Sequence, residues 1–211
     1  MKRIFFITLL AVAGNAAAPA ALPAQSYGKL NALYASLGLI NPQVEFTLSP
    51  RMSFQTEFIY SPWRYVREKG VDKPMQFGIF LNEARWFFRG AGDGWYGCAN
   101  FGMHAFKISK PVLCDGYIFA NRYGKGWGMQ FGFGFGYERR FGPSRRWIVD
   151  AFLSVAWMGS SYNGYSLDDN IDLYPHGHDP WPAPPDPYNG SGEWLPNKIG
   201  ASIGYLLFPG R

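Results

Sequence analysis

Glu57, Glu83 and His104 are the side chains of this sequence best suited to acid–base chemistry, two carboxylates and an imidazole lying in strand-like segments. Such groups, held within hydrogen-bond reach of one another, can pass a proton to and from a substrate. A second set, Ser160, Ser161, His176 and His178, offers a hydroxyl nucleophile and an imidazole base in the chain's last long connection. Two further clusters have the atoms for a metal. Ser166-Leu167-Asp168-Asp169-Asn170-Ile171-Asp172 gathers oxygen ligands but lacks the sixth-position Gly and closing Glu of a calcium loop. His176-Gly177-His178-Asp179 has two imidazoles and a carboxylate without supporting ligands. The same connection carries Pro180, Pro182, Pro184, Pro185 and Pro187, and a stiff exposed segment accounts for it without a metal. Cys98 falls in a strand and Cys114 in a loop, a placement that does not favour pairing even in an oxidising compartment.

These groups must be positioned by strands. Polar and apolar residues alternate with a period of two, and no segment shows helical spacing. Eight strands are expected, over residues 27–36, 43–48, 52–60, 75–88, 95–107, 127–141, 146–158 and 195–208. The second, fourth and sixth connections (49–51, 89–94 and 142–145) are tight. The third, fifth and seventh (61–74, 108–126 and 159–194) are long, and only the first (37–42) departs by being short. Short turns at one end and long loops at the other are the habit of outer-membrane barrels. The sixth strand puts Met129, Phe131, Phe133, Phe135 and Tyr137 on one face, and Gly128, Gln130, Gly132, Gly134, Gly136 and Glu138 on the other. Water would ask for charged residues opposite a core face, whereas a narrow barrel interior asks for small ones that admit long side chains from other strands. The seventh strand agrees, with Trp147, Val149, Ala151, Leu153, Val155 and Trp157 on one face and Asp150 and Ser154 on the other.

Seven of the eight tryptophans fall at expected strand ends. Trp86, Trp95 and Trp147 mark the turn end; Trp63, Trp127, Trp157 and Trp194 mark the loop end. Indole favours the boundary between membrane and water, so two such rows point to a bilayer. Alternation then turns Lys29, Asn31, Glu45, Gln55, Glu57, Glu83, Arg85, Asn100, His104, Glu138, Asp150 and Lys198 inward. Charges in so narrow a space must pair, because an unpaired one costs several kcal/mol. A structural plug of ion pairs is therefore expected, in preference to an acid–base site or a pore.

Composition fits that picture. Aromatics make up 18% of the 211 residues and charged residues only 17%, with 26 glycines. Lys2 and Arg3, the apolar stretch 4–13 and the small residues of 16–24 read as a cleaved export signal over 1–24, leaving one barrel domain over 25–211. Without Lys2 and Arg3 the formal charge of +5 falls to +3, too little to argue for nucleic acid. Arg139, Arg140, Arg145 and Arg146 flank the sixth connection, where they could hold phospholipid phosphates or simply snorkel.

Several pieces of the chain resemble a family of small outer-membrane barrels from Gram-negative gut bacteria, a domain of unknown function. They are Lys29-Leu30-Asn31-Ala32-Leu33-Tyr34, Val44-Glu45-Phe46, Tyr60-Ser61-Pro62-Trp63, Glu83-Ala84-Arg85-Trp86-Phe87, Gly134-Phe135-Gly136-Tyr137 and Lys198-Ile199-Gly200. The likeness runs over roughly 28–208 and departs in the long Pro-rich last loop. It implies an outer-membrane address and no established activity; some relatives are encoded beside fimbrial components.

The expectation is thus an all-β, eight-stranded, antiparallel up-and-down transmembrane β-barrel with short periplasmic turns and longer surface loops. It is read as a non-enzymatic envelope protein for structure, display or adhesion, monomeric and embedded in outer-membrane lipid. No cofactor, metal or nucleic acid is expected, and a surface or fimbrial protein is the partner that the 159–194 loop would meet. The alternatives are a lipid-modifying outer-membrane enzyme and a soluble periplasmic carrier of lipocalin type, which would need Phe131, Phe133 and Phe135 to point inward.

Overall fold

Alternating side chains broken by turn residues produce nine strands among the residues that the computed structural model describes, 25–68, 71–109, 122–167 and 193–209. The expected signal, Cys114 and residues 168–192, with their aspartates, His176, His178 and prolines, lie outside them. The strands are β1 (Ser26–Asn31), β2 (Pro42–Ser49), β3 (Met52–Tyr60), β4 (Tyr65–Glu68), β5 (Val71–Phe87), β6 (Asp93–Ile108), β7 (Arg122–Phe141), β8 (Trp147–Ser166) and β9 (Glu193–Phe208). Each pairs antiparallel with its sequence neighbours around the ring, β9 returns to β1, and β3 pairs with β5. β4 only extends the far end of β5 as a short hairpin. Eight strands therefore close the ring, the up-and-down barrel that the alternation predicts. No described helix is long and apolar enough to cross a membrane.

The first expected strand is too long. It stops at Asn31, and Ala32–Ser36 forms a helix, α1. The Asn31 side chain accepts from the backbone N–H groups of Leu33 and Tyr34, an N-cap that outweighs the extended pattern. Gly38, at φ 70°, ends the helix: its N–H donates to Ala35 O and that of Leu39 to Tyr34 O. With α1 included, the first connection spans 32–41, so the one short link at the loop end disappears.

The strands near the middle of the chain also outrun expectation at the loop end. β7 and β8 stay in register out to Arg122 and Ser166, with Tyr123 and Tyr165 stacked across the pair at 5.1 Å. That cross-strand contact supports a ladder in a stretch whose glycines and polar residues read as loop. Trp127 and Trp157 consequently lie within β7 and β8 and not at their ends.

At the turn end, Ser26 of β1 meets Phe208 of β9, so the ring begins and finishes on the same side. Tyr27, Phe87, Tyr96 and Ile148 turn inward there and are almost fully buried. On β7 from Lys125 onward the odd residues face out and the even ones in; Phe131, Phe133 and Phe135 are 50%, 59% and 56% exposed. The seven tryptophans of the two expected rows are all on the outside, from 36% exposed at Trp157 to 58% at Trp194.

Candidate functional site: the charged interior

Period-2 alternation brings charged side chains from separate strands into the closed space. Lys29 (β1), Glu45 (β2), Gln55 and Glu57 (β3), Glu83 and Arg85 (β5), Glu138 (β7), Asp150 (β8) and Lys198 (β9) are each 3% exposed or less, and Asn31 and Asn100 are buried with them. Only His104, of the residues expected inside, remains partly exposed.

Two cations share one group of carboxylates. The Arg85 Nη1 atom lies 3.1 Å from Glu45 Oε2, 3.0 Å from Glu138 Oε2 and 2.9 Å from Asp150 Oδ2. Lys29 Nζ contacts the same three oxygens, at 3.4 Å from that of Asp150. Arg85 Nε reaches the other way, donating to Glu83 Oε1 at 2.7 Å. Glu83 is also held by Lys198, whose Nζ lies 3.3 Å from Glu83 Oε2 and 3.2 Å from Glu57 Oε1. Arg85 thus joins both halves into one network. Neutral donors complete it: Tyr96 Oη donates to Asp150 Oδ1 at 2.7 Å, Ser53 Oγ to Glu45, and Asn41 Nδ2 to Glu57 at 3.5 Å. The Arg85 guanidinium also lies over the Tyr96 ring, 4.6 Å from its centre. Every strand of the ring contributes, β6 through Tyr96.

The interior glycines of β7 make this possible. A Cβ on Gly136 would collide with Tyr96 Oη, one on Gly132 would lie 2.8 Å from Asn100 Oδ1, and one on Gly128 2.5 Å from His104 Nε2. With no side chains in the way, three β6 residues lie across β7 and reach the strands beyond. Tyr96 reaches Asp150, Asn100 accepts from Asn197 Nδ2 at 3.0 Å, and His104 Nε2 meets Ser160 Oγ at 3.0 Å.

The acid–base trio of Glu57, Glu83 and His104 is accordingly divided. The two glutamates grip Lys198, while His104 meets Ser160 and stacks on Phe106. Asn197 joins the interior because a bulge opposite Ser154 and Val155 breaks the alternation of β9, and Ser154 Oγ donates to its Oδ1 at 2.7 Å. Sequence reading passed over Asn197 for that reason. It also passed over Tyr96, although alternation with Trp95 turns it inward.

A match to the family described as "Protein of unknown function (DUF3575)" covers residues 4–184. The chain belongs to that family. No curated protein and no solved structure shows significant similarity to it. In this DUF3575 member, no group of three or more His, Cys, Asp or Glu side chains among the described residues could hold a metal ion. Cys98 is a free thiol on β6, and its expected relation to Cys114 falls outside the described residues. The ion pairs of the interior can therefore fasten eight strands to one another.

Proposed function

We propose that this DUF3575 chain is an exported outer-membrane barrel of a Gram-negative cell, a monomeric and non-enzymatic envelope protein that presents its loop end to partners. The height of its outer apolar surface carries the reading. Trp147 and Trp157 stand ten residues apart on β8. At about 3.3 Å per residue and a tilt of about 40°, that spacing is ~25 Å, the height of the apolar band of outer-membrane barrels. From the level of Trp157 to that of Trp147 the outward positions of β7 and β8 carry Phe131, Phe133, Phe135, Tyr137, Val149 and Leu153, with Arg139 close to the turn-end edge, all well exposed. A soluble carrier would have those phenylalanines lining its interior. The eight strands of the ring leave no open edge among themselves for a second copy to extend, and the short β4 hairpin stands outside the ring. With the interior filled by ion pairs, the loop end is the part free to act, and the 159–194 segment is where a surface or fimbrial protein would bind.

An epitope inserted within 168–192 tests the orientation. It should be stained on intact cells; staining only after the envelope is broken would contradict a surface-facing loop end. The 3.0 Å contact between Ser160 Oγ and His104 Nε2 favours a second reading, a lipid-modifying enzyme with Ser160 as nucleophile. A fluorophosphonate probe that labels the wild type and spares Ser160→Ala would support it, and an unlabelled wild type would remove it.

A further inference from the structure

The turn end of the barrel is basic. Arg51 lies in the β2–β3 turn, Arg89 in the β5–β6 turn, and Arg145 and Arg146 in the β7–β8 turn; all four are exposed. The three turns form one continuous rim. Ala91 N donates to Pro50 O at 2.9 Å, and Phe87 N to Arg51 O at 2.8 Å, which ties the first turn to the second. Arg140, half buried, donates from Nη2 to Ala91 O at 2.8 Å and ties the second to the third. The acid exposed among these turns is Asp93, 3.7 Å from Arg145. A solvated pair of that kind leaves the rim strongly positive.

The arginines also sit next to a row of exposed aromatics. Trp86 and Phe88 precede Arg89, Trp95 follows Asp93, Phe141 precedes Arg145, and Trp147 follows Arg146. An aromatic row followed outward by guanidinium groups matches the order met on leaving a bilayer, first the carbonyl boundary and then the phosphates. We propose that this rim binds the phosphate groups of anionic phospholipids in the leaflet that the turn end meets. The inference rests on the membrane reading above and adds a lipid partner to it. Guanidinium suits a phosphodiester, since its planar fork can donate two hydrogen bonds to one phosphate. The neighbouring tryptophans select a headgroup at a membrane surface over a soluble anion.

Full-length protein extracted in detergent, transferred to nanodiscs of phosphatidylcholine alone or mixed with phosphatidylglycerol, provides the test. Native mass spectrometry counts the lipids that each released barrel retains, at low and high salt. The wild type should retain phosphatidylglycerol preferentially, less so at high salt because the charges are exposed. The R51Q/R89Q/R145Q/R146Q variant leaves Arg140 and the interior intact, and its preference should fall about fivefold for each arginine removed. Equal retention of the two lipids by a wild type whose gel mobility still shifts on boiling would overturn the rim and leave the barrel reading standing. A chain that enters neither nanodisc overturns both. Should the variant fail to fold, the wild-type salt series decides, and a preference that salt leaves unchanged counts against the rim.

Discussion

Arg85 is the residue on which the interior depends most. It contacts Glu45, Glu83, Glu138 and Asp150, and those carboxylates come from four different strands. Removing one member of a buried ion pair strands its partners, at a cost of about 3–5 kcal/mol. Arg85→Ala should lower the stability of the refolded barrel by that much in urea titrations followed by gel mobility. Arg85→Lys keeps the charge but not the guanidinium fork, and its loss should be smaller. A change below about 1 kcal/mol for Arg85→Ala would show that the network is not what joins the strands. Gly136→Ala tests the crossing over β7 separately. Its methyl would meet the Tyr96 hydroxyl and the Ala151 carbonyl, and overpacking of this sort costs about 1–3 kcal/mol in the same titration.

Among the elements, β7 shows most clearly what the sequence makes legible. Its odd aromatics and even glycines say which face is which before any coordinates are consulted, and the same rule placed Lys29, Glu45, Arg85 and Glu138 on a common interior. What alternation cannot supply is the relative stagger of the strands, so it did not pair Arg85 with Asp150 or part His104 from the glutamates. Local exceptions were equally hidden. The Asn31 cap turns an apparent strand into α1, and the β9 bulge turns Asn197 inward; each depends on one hydrogen-bonding group or one extra residue. The outward face of β7 also makes its own prediction. Phe135→Arg puts a charge near the middle of the apolar band, where it should cost about 2–4 kcal/mol in a lipid vesicle, against about 0–1 near the band's edges. An equal cost for Phe135→Arg and Phe141→Arg would contradict a bilayer around this strand.

For the whole molecule, the account joins a closed ring, a filled interior and an apolar belt bounded by tryptophans. Eight strands leave room for side chains and little else, and here that room holds ion pairs. Purified protein in a planar bilayer should therefore show no unit conductance; a steady single-channel current would mean that the interior opens. The belt and the filled interior together are the grounds for proposing lipid around the outside of the barrel, and that is the central claim. Its most direct test is fractionation of cells expressing the full chain, with gel mobility of the outer-membrane fraction compared before and after boiling. The account predicts a detergent-extracted band that changes mobility only on boiling. Protein released with the soluble periplasm would contradict it, and would turn attention to a ligand that the exposed phenylalanines could carry.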